Sequence, residues 1–126
     1  MTVLTRTQQR HAKVLERGER RKALAALKEL LGSSEVKDML PRTKIKLGTS
    51  SDGGETYRLY LKRSGLHKEW DYDHYKSGTG QYGALGPGEF DYTETRSSAV
   101  QPSLKTIQDF GLNEAKLREV QAQLRA

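Results

Sequence analysis

Three observations predict an α+β fold. Apolar residues recur at helical spacing over the first third of the chain, the period switches to two in the middle, and helical spacing returns at the end. The expected architecture is N-terminal helices, a three- to four-stranded antiparallel meander sheet and two C-terminal helices. At 126 residues the chain has room for one domain, so 1–126 is read as a single α+β domain. Residues 1–20 are expected to form a protruding basic helical arm.

Each element has a local reason. Thr5 to Leu31 is rich in helix formers, holds no proline and meets Gly32-Ser33 as a stop. Gly18 divides it. Before Gly18 the apolar groups Leu4, His11, Val14 and Leu15 share one narrow face. After it Ala23, Leu24, Leu27, Leu30 and Leu31 form a wider face on roughly the opposite side. One straight helix on one core would not reverse its face, so either the helix breaks at Gly18 or its first half packs on something else. Ser33-Ser34 caps a short helix over Glu35–Leu40, which Pro41 closes.

Alternation then sets in. Lys44–Leu47 and Thr56–Lys62 flank a turn at Asp52-Gly53-Gly54 and predict a hairpin. Ile45, Leu47, Tyr57, Leu59 and Leu61 point inward; Lys44, Lys46, Arg58, Tyr60 and Lys62 point outward. Lys68–Tyr75 reads as a third strand, with Trp70, Tyr72 and His74 on one face and Glu69, Asp71 and Asp73 on the other. Ser77–Gly88, with five glycines and one proline, reads as a loop. Glu89–Thr95 is expected as a fourth strand with Phe90 and Tyr92 inward, and Arg96–Pro102 as a linker. Ser103 caps a helix through Phe110 that Gly111 ends. Asn113 caps the last helix, to Arg125, with Leu112, Leu117, Val120 and Leu124 at helical spacing.

Composition narrows the function classes. Only 34% of residues are hydrophobic and 30% are charged, so the core must be lean. No cysteine is present, which excludes disulfides and thiolate-held metals, and three histidines alone make a structural zinc site improbable. No apolar run approaches the ~20 residues of a membrane span, and Met1–Arg10 lacks the apolar stretch of a secretory signal. A cytoplasmic protein without a membrane partner is the expectation. No nucleophile elbow or triad spacing is present, so neither an enzyme nor a cofactor is expected. Gly78–Gly83 leads toward another strand rather than a helix, unlike a phosphate-cradling loop.

Charge is uneven within a formal net of +6. Residues 1–32 carry eight Lys or Arg against three acids, whereas residues 68–94 carry two against six. On helical geometry Arg6, Arg10, Lys13, Arg17, Arg20, Arg21 and Lys28 fall within an arc of about 100°. Like charges at that spacing cost a helix a few tenths of a kcal/mol per pair, which favours a stripe kept for phosphates. The first expectation is therefore a DNA- or RNA-binding protein that contacts backbone through Arg6, Arg10, Lys13, Arg17, Arg20 and Arg21. The outward sheet residues Lys44, Lys46, Arg58, Tyr60 and Lys62 are a second candidate platform. Glu69, Asp71 and Asp73 on the next strand are placed to neutralise it.

The alternative is a protein-binding adaptor or inhibitor, of the kind a phage or plasmid uses to block a host factor. It would bind through Leu4, His11, Val14 and Leu15 or through Glu69, Asp71, Asp73 and Tyr82, with Glu89 and Asp91 extending an acidic surface that mimics nucleic acid. His67, Glu69, Asp71 and Asp73 also share a strand face, but the ~7 Å between alternate residues is too long for three of them to reach one metal ion.

Overall fold

A computed structural model describes residues 3, 5–40, 43–76 and 89–125. The elements run α1 (Arg6–Gly32), α2 (Ser34–Met39), β1 (Ile45–Asp52), β2 (Glu55–Lys62), β3 (Gly65–Lys76), β4 (Glu89–Ala99), α3 (Leu104–Asp109) and α4 (Glu114–Arg125). The four strands form an open antiparallel meander in chain order, and the fold is α+β.

Local chemistry sets most boundaries. The Thr5 hydroxyl accepts from the Gln8 amide and the Gln8 side chain accepts from the Thr5 amide, a reciprocal capping box that starts α1. The helix then runs unbroken through Gly18. The Ser33 hydroxyl accepts from the Val36 amide and caps α2. Ser103 and Asn113 do the same for α3 and α4, through the amides of Thr106 and Lys116. Gly53 and Gly54, at φ +58° and +85°, supply the two left-handed positions that a two-residue hairpin turn needs.

The helices cover one face of the sheet. Leu47, Leu59, Leu61 and Leu66 meet Ala23, Ala26, Leu27 and Leu30 of α1, Ile107 and Phe110 at α3, and Leu112, Leu117 and Val120 at α4. Val36 and Leu40 close the α2 side. A bulge in β1 makes this packing fit: Lys46 pairs with Tyr60, Gly48 with Leu59, and Leu47 is the extra, buried residue between them. A Cβ at Gly48 would lie 2.6 Å from the Phe110 carbonyl oxygen, so only glycine lets the chain after α3 approach the strand this closely. Arg118 of α4 pairs with Glu29 of α1 across the helix layer.

Three expectations need correction. The third strand begins at Gly65, which has φ +117° and follows a tight turn at Arg63-Ser64, rather than at Lys68. Arg96–Ala99 is strand rather than linker, because its backbone continues the ladder against His67–Trp70 although its side chains show no apolar alternation. Phe90 and Tyr92 do not point into the core: they are 58% and 52% exposed. The helices cover the leucine-rich part of the sheet, and β3 and β4 continue beyond it as a two-stranded ribbon. The glycine-rich segment 77–88, with Tyr82, lies outside the described residues, as do Leu4 and Pro41.

Candidate nucleic-acid interface

The two cationic surfaces singled out in the sequence fare differently. On the outward sheet face, Lys44 Nζ lies 2.6 Å and Lys62 Nζ 3.1 Å from the two carboxylate oxygens of Glu69. Glu69 is itself only 5% exposed. The Arg58 guanidinium meets Asp71 at 3.1 Å, and Lys44 also lies over the Tyr60 ring at 4.3 Å. The bond from Lys44, more than offsetting burial and joined by that from Lys62, holds the Glu69 carboxyl below its ordinary range. Arg58, with help from the Thr95 hydroxyl, lowers Asp71, and Asp71 in turn raises Arg58. Of the five outward candidates, Lys44, Arg58 and Lys62 are thus spent on carboxylates, Tyr60 is half-covered, and Lys46 alone is exposed without an ion pair among the described residues.

The α1 stripe is arranged otherwise. Every residue from Arg6 to Arg17 is exposed, whichever side of the helix it occupies. Arg6, Arg10, Lys13, Arg17 and Arg21 form no ion pair with any described residue; Arg20 alone reaches a carboxylate, Glu16 at 3.5 Å. The reversal of apolar face at Gly18 has a simple resolution: the second half of α1 is core, and the first half is a continuous helical arm whose residues from Arg6 to Arg17 are buried by no described residue. His11, Val14 and Leu15 are exposed on it, Val14 by 63% and Leu15 by 56%. A groove of about 530 Å³ opens at the base of the arm beside Arg20 and Lys22, but Glu16, Glu19 and Glu114 line it too, so it does not extend the cationic surface.

The sequence reading missed the aromatic ribbon. On one of its faces His74 stacks on Tyr92 with ring centroids 4.4 Å apart, Tyr72 meets His74 edge-on, and the Arg96 guanidinium lies 3.8 Å above Tyr72. Glu94 accepts from His74 at 2.6 Å and from Arg96 at 3.3 Å, and His74 foremost holds its carboxyl below the ordinary range. His74 is therefore a ribbon residue rather than a core histidine. The alternation of Tyr72 and His74 was a visible signal; that the helices stop short of it was not. Among the described residues no group of His, Asp and Glu is gathered to hold a metal ion, and no helix is long and apolar enough to cross a membrane.

Compared with family models, with curated proteins and with solved structures, the chain matches none.

Proposed function

We propose that this chain is a non-enzymatic nucleic-acid-binding protein that contacts phosphates through the N-terminal arm of α1. One observation carries the reading: Arg6, Arg10, Lys13, Arg17 and Arg21 lie along one side of an exposed helix, and no carboxylate of the described residues neutralises them. A structural role for these cations would show as ion pairs, as it does on the sheet face. A helix that presents arginines at i, i+4 and i+7 offers its charges at spacings suited to a sugar–phosphate backbone. Such contact is electrostatic and only weakly selective for sequence.

The test is a fluorescence-anisotropy titration against generic duplex DNA, single-stranded DNA and duplex RNA over a range of salt. If five stripe cations each neutralise a phosphate of B-DNA, log affinity should fall against log salt with a slope of about −4.5. Arg10→Glu with Arg17→Glu should weaken binding at least tenfold, whereas Arg58→Gln, at a cation already paired with Asp71, should leave it nearly unchanged. Unchanged affinity in the double arm variant would sink the reading.

A further inference from the structure

Phosphate binding gives no use to Val14 and Leu15: both are exposed, Val14 at the edge of the arginine stripe and Leu15 beyond it on the side away from Arg17. Val14 lies between Arg10 and Arg17 at i+4 and i−3, so apolar and cationic groups share one sector of the helix. The ribbon carries the complementary set. Beyond the leucine-rich part of the sheet it holds Asp71, Asp73, Glu89, Asp91 and Glu94 against Lys76 and Arg96. Its two faces differ. On one, Tyr72, His74, Tyr92, Arg96 and Glu94 satisfy one another. On the other, strand alternation places Tyr75 beside Asp73, and Tyr75 meets Phe90 edge-on with centroids 6.0 Å apart. Tyr75 and Phe90 are the most exposed aromatics of the described ribbon, at 59% and 58%, and no other described element packs over them. Asp91 is the extra residue where the pairing shifts register between His74–Tyr92 and Tyr75–Phe90.

We propose that a second copy of this chain covers that face: the α1 arm of one copy lies along the Tyr75–Phe90 face of the other's ribbon. Val14 and Leu15 pack on the two rings, while Arg10 and Arg17 reach Asp73 and Asp91. The dimensions agree. Arg6 to Arg17 spans about 18 Å of helix, and Trp70 to Lys76 about 20 Å of strand. The arm cannot reach its own ribbon in this way, because α1 is one continuous helix whose second half is fixed in the core and whose first half is exposed throughout. The carboxylates make the ribbon a poor seat for nucleic acid and a good one for a cationic helix. The contact pairs unlike surfaces, so it closes into a dimer if reciprocal and otherwise extends with concentration. This inference does not rest on the nucleic-acid reading, although the two share the arm.

Sedimentation velocity of the full chain across concentration, at low and high salt, tests it. The wild type should associate at low salt and be monomeric at high salt. Arg10→Glu with Arg17→Glu, and separately Asp73→Lys with Asp91→Lys, should each weaken association at least tenfold, with unchanged circular dichroism. A mixture of the two variants should form a 1:1 complex, since one retains an intact ribbon and the other an intact arm. A monomeric wild type under every condition, association that survives both pairs of substitutions, or a mixture that stays monomeric would overturn the proposal. The ribbon variant separates the two readings: it should lose self-association and still bind nucleic acid, whereas failure of nucleic-acid binding in the wild type leaves the sedimentation result standing.

Discussion

The two halves of α1 are made of similar helix-forming residues and differ in what surrounds them. From Ala23 to Leu30 one face is sealed against the sheet and α4, with Leu27 and Leu30 fully buried. From Arg6 to Arg17 no side is covered. The sheet repeats the contrast: Leu59, Leu61 and Leu66 lie under helices, whereas Tyr72, Tyr75, Phe90 and Tyr92 stand in water. Apolar content alone does not decide burial here, since the ribbon is as aromatic as any part of the chain. What decides is how far the helices extend, and the uncovered stretches are where a partner has something to gain.

The largest expected effect comes from breaking this contrast on its buried side. Leu27→Ala should destabilise the fold by about 3 kcal/mol, through lost transfer energy and an unfilled cavity. Leu15→Ala, on the same helix, should change stability by no more than about 0.5 kcal/mol. Urea unfolding of both variants measures the difference. A Leu15→Ala variant as unstable as Leu27→Ala would mean that the arm packs on its own chain after all.

Second in size is the cation-binding side of the sheet. Glu69→Gln leaves Lys44 and Lys62 without their shared carboxylate and should cost about 1–3 kcal/mol at neutral pH. The sign with pH follows from the depressed Glu69 value. A carboxyl lowered on folding adds stability that is fully present above its unfolded value, near 4.5, and is lost as pH falls through the folded one. The wild type should therefore lose more stability than Glu69→Gln on acidification below about pH 4.5. Parallel acid-unfolding curves for the two proteins would show that Glu69 does not organise this face. Reversing arm cations, by contrast, should leave stability nearly unchanged, because no described ion pair of Arg10 or Arg17 is lost.

How much of this was legible in the sequence follows from the range of each interaction. The caps at Thr5, Ser33, Ser103 and Asn113, the stop at Gly111 and the two-residue turn at Gly53-Gly54 act within a few residues, and the sequence displays them. The pairing of Glu69 and Asp71 with the cations of the hairpin was legible too, since alternation puts the outward residues of neighbouring antiparallel strands on one face. The strand character of Arg96–Ala99 was not, because it comes from the neighbouring backbone rather than from its own side chains. The exposure of Phe90 and Tyr92 depends on where α1 and α4 end in space, which periodicity along a strand does not encode. For the candidate interface, the helical wheel found the stripe, but only packing distinguishes its bare cations from the paired ones of the sheet.

The smallest effect sharpens the comparison most, because it asks whether the two halves of α1 unfold as one. Gly18 sits inside the helix at the junction of arm and core, with nothing within 4 Å of where a Cβ would lie. Gly18→Ala should favour the helix by about 0.5–1 kcal/mol, by removing backbone freedom from the unfolded chain without creating a clash. An uncovered helical arm holds itself only by its own hydrogen bonds, and a segment of that length is marginal in water. Its amides should then exchange with solvent through local fraying, faster than those of Ala23–Leu30. Under those conditions the substitution should slow exchange over Arg6–Arg17 several-fold and move the global unfolding midpoint only slightly. A gain that appears in full in global unfolding, with arm and core amides exchanging alike, would show that the helix is one cooperative unit. The arm would then be a rigid extension of the core, ordered before it meets any partner.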